Sequence, residues 1–155
     1  MKQFFDTNVL LYQYDGAHPA KRARARERVV EAIRDQQFVI STQVMMEFYI
    51  NVTKKFADAI VPADAQLLLQ SWAGGGLVIA LTPEMIVDAA TLQERHGVSW
   101  WDANIVVAAQ RAEAEVLVTE DMQHGRHFDA LRVENPFLSG VNERKPTPYK
   151  PKRKT

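Results

Sequence analysis

Four acidic residues of this chain lie at or directly beside short apolar segments: Asp6, Glu47, Asp102 and Asp121. Two of them follow strand-like runs, since Phe4-Phe5 leads into Asp6 and residues 116–118 lead, through Thr119-Glu120, into Asp121. Ligands bind at the carboxyl edge of a parallel sheet, so carboxylates in these positions are expected to meet there. Grouped carboxylates repel one another unless a cation holds them, and all-oxygen ligands suit Mg²⁺ or Mn²⁺. The pattern predicts a metal-dependent site, most naturally for phosphodiester chemistry.

Three of these acids also have an ordinary structural explanation. Asp6 precedes a helical segment and suits an N-cap. Asp102 follows Ser99 at the S-x-x-D spacing of a capping box. Asp121 follows a strand and suits a loop or a cap. A capping role does not exclude metal binding, because both place the carboxylate at a helix N-terminus.

Glu47 is harder to explain structurally. It lies within an otherwise apolar helical run, between Met45-Met46 and Phe48-Tyr49, where a carboxylate is costly unless it is paired or bound to a metal. The alternative is a solvent-facing helical position. Glu120 is a substitute ligand for Asp121, and we rank it lower.

Strands and helices are predicted to alternate along the chain. Strands are expected over residues 4–5, 38–40, 77–81, 116–118 and 131–133. Helices are expected over residues 9–12, 19–35, 42–56, 63–72, 83–96 and 99–109, with Ser41 or Thr42 and Thr82 as caps and Gly97 as a stop signal. Strands separated by helices imply parallel βαβ units, and the predicted fold class is a three-layer α/β/α sandwich with a parallel sheet.

Length and composition favour one soluble domain. The 155 residues include no cysteine, so disulfides and thiolate metal sites are excluded. No apolar run approaches the roughly 18 residues of a membrane span, and no signal peptide is evident, so we expect a cytoplasmic protein that does not engage a membrane.

Charge is unevenly distributed, although the formal net charge is zero. Residues 142–155 carry six basic residues and one acidic residue, a net of +5, which leaves −5 for residues 1–141. We therefore predict one folded domain over residues 1–141 and a basic, proline-containing, disordered tail over residues 142–155. The tail either adds affinity for phosphate or is a solubilising or vector-derived terminus.

The motifs taken together resemble the PIN-domain ribonucleases, including the VapC-like toxins. The resemblance runs from about residue 3 to residue 137 and is carried by four short motifs that arrive in order: Asp6-Thr7-Asn8, Ser41-Thr42 with Glu47, Asp102-Ala103 with Ile105 and Ala108-Ala109, and residues 117–121. Each motif is weak alone, so the assignment depends on all four being present.

The resemblance implies how the acids function. The main ligands of Mg²⁺ or Mn²⁺, direct or through water, would be Asp6, Asp102 and Asp121. Glu47 would bind the metal through water or orient the attacking water, so all four acids are assigned to the catalytic metal site. Asn8 and Thr119 would hold these carboxylates in place. One or two metal ions are compatible with this set.

The resemblance also implies a strand order of 3-2-1-4-5 with helices on both faces of the sheet. It implies a Mg²⁺- or Mn²⁺-dependent endoribonuclease that acts on RNA, most naturally the toxin of a toxin–antitoxin pair. The expected partners are then an RNA substrate, a small antitoxin protein that covers the acidic cleft, and a second copy of the chain in a homodimer.

Two other functions fit parts of the pattern. A catalytically silent PIN-like RNA-binding module would have the same fold, although loss of an acid would favour it and all four are present. A phosphatase of the haloacid dehalogenase type also begins with Asp after its first strand, but that family has a second Asp where this chain has Asn8.

Three further features are weaker signals. The basic residues between Lys21 and Arg28 fit a solvated helix, or alternatively contact with an RNA backbone. His124 and His127 have the spacing of a zinc pair but no suitably spaced third ligand, so loop polarity is favoured. Trp100 and Trp101 suit core or dimer contacts, or alternatively stacking on bases.

Overall fold

The computed structural model describes residues 1–138, so the predicted basic tail over residues 142–155 lies outside the described residues. The strands are β1 (Gln3–Phe5), β2 (Phe38–Ser41), β3 (Val78–Ile79), β4 (Val116–Val118), β5 (His127–Phe128) and β6 (Leu131–Glu134). The helices are α1 (Thr7–Tyr12), α2 (Pro19–Arg34), α3 (Thr42–Lys55), α4 (Pro62–Gly74), α5 (Pro83–His96) and α6 (Trp100–Arg111).

The strands form one sheet in the order β3-β2-β1-β4-β6-β5. Strands β3, β2, β1, β4 and β6 are parallel to one another. Their order is the predicted 3-2-1-4-5, with β6 as the fifth predicted strand. Strand β5 was not predicted, because it spans two residues and pairs antiparallel with β6 at the sheet edge. The central position of β1, between β2 and β4, buries all three of its residues.

The helices form two groups that cover the sheet. Helix α1 packs on α2 and on α3, α3 packs on α4, and α5 packs on α6. The connections from β1 to β2 and from β2 to β3 run toward one edge of the sheet, whereas the connection from β3 to β4 runs back toward the other edge. Since such crossovers are right-handed, the two groups lie on opposite faces. The predicted three-layer α/β/α sandwich is confirmed.

Strand β3 is shorter than predicted, at residues 78–79 instead of 77–81. It is partly exposed at the sheet edge. The Leu77 carbonyl accepts from the Ile40 amide of β2, which belongs to the parallel pairing of Ile40 with Val78. Beyond β3, the Leu81 amide donates to the Thr42 hydroxyl of α3. The chain has therefore left the ladder by Leu81.

Aromatic packing fixes helix α3 against the sheet. Phe5 of β1 stacks on Phe38 of β2 with ring centroids 5.0 Å apart. Phe48 of α3 meets Trp72 of α4 edge-on at 4.9 Å, and its side chain is fully buried. Burial of Phe48 sets the rotation of α3, and so places Glu47, the preceding residue, at the border of the buried stripe.

Helices α3, α5 and α6 begin at the predicted side-chain caps. Ser41 accepts from the Val44 amide, Thr82 from the Met85 amide and Ser99 from the Asp102 amide. Helix α5 ends at Gly97, whose φ of 65° is a left-handed conformation that favours glycine. Among the described residues, no helix combines the length and apolarity needed to cross a membrane.

We predict that Gly97→Ala lowers the free energy of unfolding by about 1–2 kcal/mol, because a Cβ is unfavourable at positive φ. The matched control is Gly74→Ala, at the last residue of α4, where an added Cβ meets nothing within 4 Å and φ is not positive. That change should be neutral or stabilising by up to about 1 kcal/mol. Urea unfolding of both variants measures the difference, and equal effects would contradict the assignment of strain to Gly97.

Candidate active site

Asp6 combines the N-cap role and the position expected of a site residue. It follows β1 directly, and its main-chain amide donates to the Val118 carbonyl of β4. Its Oδ1 accepts from the Thr7 amide at 2.8 Å, which caps α1. Only 1% of the residue is exposed. A buried carboxylate therefore lies where the two central strands end.

Thr119, which follows β4, is a fully buried hydroxyl at the centre of a hydrogen-bond network. It donates to Asp6 Oδ2 at 2.9 Å. It accepts from Asn8 Nδ2 and from the Asp121 main-chain amide, both at 3.1 Å. One side chain thus fixes the end of β4 to the carboxylate at the end of β1.

Asn8 joins two of the predicted acids. Its Nδ2 donates to Asp121 Oδ2 at 2.8 Å and lies 3.4 Å from Asp6 Oδ2, and its Oδ1 accepts from the Glu120 amide at 3.4 Å. Asp121 is partly exposed, whereas Asp6 is buried. The structure therefore brings Asp6 and Asp121 together around Asn8 and Thr119, the two residues expected to hold them.

Glu47 is joined to the same network through Thr7. The Thr7 hydroxyl donates to Glu47 Oε2 at 2.9 Å, while the Thr7 main-chain amide donates to Oδ1 of Asp6, the N-cap of α1. Gln43, one turn earlier on α3, donates to Glu47 Oε1 at 3.1 Å. Sequence reasoning assigned no role to Thr7 or Gln43. The D-T-N triplet shows Thr7 beside Asp6, but nothing local shows that its hydroxyl reaches a residue 40 positions away.

Asp102 lies in the first turn of α6 and is 3% exposed. Its amide donates to the Ser99 hydroxyl, as the S-x-x-D spacing predicts. Gln43 also lies 3.4 Å from the Trp101 carbonyl, next to Asp102 in the chain. This contact connects the turn that carries Asp102 to the helix that carries Glu47.

Glu120, the lower-ranked substitute ligand, binds two side chains of α1 and α2. Tyr12 donates to Glu120 Oε1 at 2.5 Å and Lys21 donates to Oε2 at 2.8 Å. Burial and the neighbouring Glu120 carboxylate both raise the Tyr12 pKa. Burial alone would lower the Lys21 pKa, but its bonds to Glu120 and Tyr12 outweigh this and raise it. Lys21 therefore stays charged and orients Glu120 toward α2.

The basic segment of α2 holds the fold together. Four of its side chains bind other segments of the protein: Lys21, Arg24, Arg26 and Arg28. Arg24 donates to the Pro136 carbonyl, and Arg28 donates to Glu134 at 2.7 Å. This helix face is largely exposed, as the sequence favoured, and its cations also connect α2 to Gln13 after α1 and to residues that follow β4 and end β6.

The structure decides some of the alternatives left open for the histidines and tryptophans. The Asn135 amide donates to His124 Nδ1, whereas the exposed His127 lies against the Gly125 carbonyl, which fits loop polarity. Trp100 packs partly against the core, and Trp101 is 46% exposed beside Asp102. Within residues 1–138, no group of three or more His, Cys, Asp or Glu side chains is arranged as a preformed metal cage.

Comparison with known proteins establishes the family. The model of the PIN domain matches residues 4–128. This chain belongs to the PIN domain family. The match covers most of the span over which the motifs resemble PIN ribonucleases, and it confirms that assignment. A comparison with curated protein sequences found no significant match.

Two solved structures show the same PIN fold. A toxin–antitoxin complex from Klebsiella pneumoniae superposes with a TM-score of 0.61 at 19% identity, covering 87% of this chain and 98% of the other. VapC20 from Mycobacterium tuberculosis, a toxin described as cleaving the sarcin–ricin loop, gives 0.53 at 15% identity, covering 75% and 87%. At these identities the likeness concerns the fold.

We predict that Thr119→Val destabilises the protein by roughly 1–3 kcal/mol, because it leaves the buried Asp6 carboxylate without one of its donors. Thr119→Ser is the matched control, since it keeps the hydroxyl and loses one methyl group, at a cost of about 1 kcal/mol. Urea unfolding at neutral pH compares the two. A larger loss for Ser than for Val would show that the methyl group, and not the network, stabilises this position.

We predict a pH-dependent contribution from Glu134. Burial alone would raise its pKa, but the hydrogen bond and charge of Arg28, with the charge of Arg132, outweigh burial and lower it from 4.5. A lowered pKa in the folded state means that the stabilisation is present above about pH 4.5 and is lost as the pH falls through the folded value.

Glu134→Gln should therefore lower the melting temperature at pH 7, and this effect should shrink as the pH falls below about 4.5. Glu94→Gln, on an exposed part of α5, is the control and should change little at either pH. An undiminished effect of Glu134→Gln at pH 3 would exclude an ionic origin.

Proposed function

We propose that this chain is a metal-dependent endoribonuclease and the toxin of a toxin–antitoxin pair. The observation that carries the proposal is the shared anchoring of Asp6 and Asp121. The Asn8 amide lies within 3.4 Å of both carboxylates, and the Thr119 hydroxyl donates to the Asp6 carboxylate and accepts from the Asp121 main-chain amide. Bringing two like charges together is unfavourable in a structural core, and it is expected where a cation binds.

The donor set fits Mg²⁺ or Mn²⁺, because the four acids offer only oxygen ligands. Mg²⁺ keeps several waters and is usually held by one or two carboxylates together with substrate phosphates, so it needs no preformed cage of three side chains. Asp6 and Asp121 would hold the ion, with Asp102 and Glu47 as further direct or water-mediated ligands. When bound, such an ion supplies charge neutralisation of the phosphate, a lowered pKa of water and stabilisation of the leaving 3′ oxygen.

The protein's own residues supply orientation and proton transfer. Asp6 is fixed at both carboxylate oxygens, by the Thr7 amide and by Thr119. Glu47 is also fixed at both oxygens and is partly exposed, so it is placed to accept a proton from an attacking water. Trp101 offers an exposed aromatic surface beside Asp102, on which a base of single-stranded RNA would stack.

The two structural neighbours support the biological part of the proposal. One is a toxin–antitoxin complex and the other is a toxin that cleaves an RNA loop. An antitoxin for this chain would cover the acidic site, and an arginine that forms paired hydrogen bonds with the carboxylates suits that role. We also propose a homodimer, which light scattering of the purified protein tests directly.

The decisive experiment is cleavage of a mixed pool of single-stranded and structured RNA with Mg²⁺ or Mn²⁺. Asp6→Asn should keep the fold and reduce the rate by more than the roughly 10–100-fold typical of an outer-shell partner, and EDTA should abolish cleavage by the wild type. Asp35→Asn, at the end of α2, is the control and should cleave normally.

Each other outcome changes the proposal in a defined way. Wild-type cleavage rates for Asp6→Asn would overturn the site assignment, and cleavage in EDTA would overturn the metal requirement. A folded wild type that binds the RNA pool in a filter assay without cutting it would favour the silent RNA-binding module.

A further inference from the structure

Gln43 is a buried amide that contacts two parts of the candidate active site. It is the second residue of α3 and is 4% exposed. Its Nε2 donates to Glu47 Oε1 at 3.1 Å and lies 3.4 Å from the Trp101 carbonyl, which precedes Asp102. Helices α3 and α6 lie on opposite faces of the sheet, so this one side chain bridges the two outer layers at the carboxyl edge.

The orientation of the Gln43 amide is determined by its neighbours. Both groups near Nε2 are acceptors, a carboxylate and a main-chain carbonyl. Reversing the amide would direct its carbonyl oxygen at two other oxygens, which is unfavourable. In the required orientation, Oε1 is buried and has no hydrogen-bond partner among the described residues.

This arrangement is unfavourable for folding alone. A buried acceptor without a partner lowers stability, and an apolar side chain of similar length would avoid the loss. Native proteins contain few such groups, and those present often belong to functional sites. Functional residues commonly reduce stability in this way.

We propose that Gln43 is a positioning residue that fixes the Glu47 carboxylate relative to the turn carrying Asp102. The inference rests on the proposed function, because it assigns Glu47 to the metal and the attacking water. Thr7 ties one oxygen of Glu47 to the end of β1, and Gln43 ties the other to the start of α6. Glu47 is thereby connected to the chain neighbours of Asp6 and Asp102, the two buried acids of the set.

The test variant is Gln43→Met, which keeps the length of the side chain and removes both polar atoms. Gln110→Met is a closely matched control. Gln110 lies near the opposite end of α6, and its Nε2 lies 3.3 Å from a main-chain carbonyl, that of Phe128, and 3.4 Å from a carboxylate, that of Asp129. The same change thus removes the same kinds of contact away from the site.

Two measurements are made on wild type and on both variants. The first is the melting temperature without metal and its rise with increasing Mn²⁺, which needs no RNA. The second is kcat and KM for RNA cleavage. For Gln43→Met we expect an unchanged or higher melting temperature without metal. We also expect that the variant needs about 10–100-fold more Mn²⁺ for the same response or that its kcat falls by about 10–100-fold. Its KM should stay within about threefold of wild type. Gln110→Met should match wild type in metal response, kcat and KM.

Two results would overturn the inference. One is a Gln43→Met protein whose Mn²⁺ response and kcat both stay within threefold of wild type. The other is a loss of activity that accompanies a lower melting temperature without metal, since Gln43 would then be purely structural. If the wild type responds to Mn²⁺ without cutting RNA, the nuclease proposal fails, while the Mn²⁺ response still decides the role of Gln43.

Discussion

The burial of the Asp6 carboxylate at the end of the central strand is the constraint on which the site depends. A carboxylate that is 1% exposed is strongly unfavourable unless donors surround it. The Thr7 amide and the Thr119 hydroxyl supply those donors, with Asn8 close by. Because Thr119 follows the neighbouring strand, satisfying Asp6 also fixes the end of β4, and with it Asp121.

Structural and functional requirements coincide at the helix N-termini. Asp6 caps α1 with the same carboxylate that belongs to the site. Ser99 caps α6 through the main-chain amide of Asp102, so this cap does not involve the Asp102 carboxylate. A helix N-terminus favours negative charge, which offsets part of the cost of placing acids at this edge. The capping and metal-site interpretations of these residues are therefore compatible.

The sequence was informative where the signal is local. Alternating strands and helices gave the fold class, and Ser41, Thr82, Ser99 and Gly97 marked helix boundaries correctly. The strand order came from the family resemblance, since periodicity does not say which strands are neighbours. Strand β5 was missed because two residues carry no periodicity, and β3 was overextended because the apolar run continues to Leu81, whose amide bonds the Thr42 side chain and not a strand.

Most contacts that define the candidate site could not be predicted from the sequence. Thr7 to Glu47, Gln43 to Trp101 and Lys21 to Glu120 join residues 40, 58 and 99 positions apart. Nothing in the spacing of a polar residue on a helix shows which distant group it will reach. The basic segment of α2 illustrates the same limit, because its composition suggested phosphate contacts or solvent, whereas its cations bind carboxylates and carbonyls of the fold.

The adjacent acids Glu120 and Asp121 are oriented by different kinds of donor. Glu120 is oriented by the cation of Lys21 and by Tyr12, which cancels its charge locally and fixes α2 against the loop after β4. Asp121 is oriented by the amide of Asn8, a neutral donor that fixes direction without cancelling charge. The same holds for Thr119 at Asp6 and for Thr7 and Gln43 at Glu47. Orientation by neutral donors is what a site needs if its carboxylates are to attract a cation, because a lysine in the same position would compete with the ion for the same oxygens.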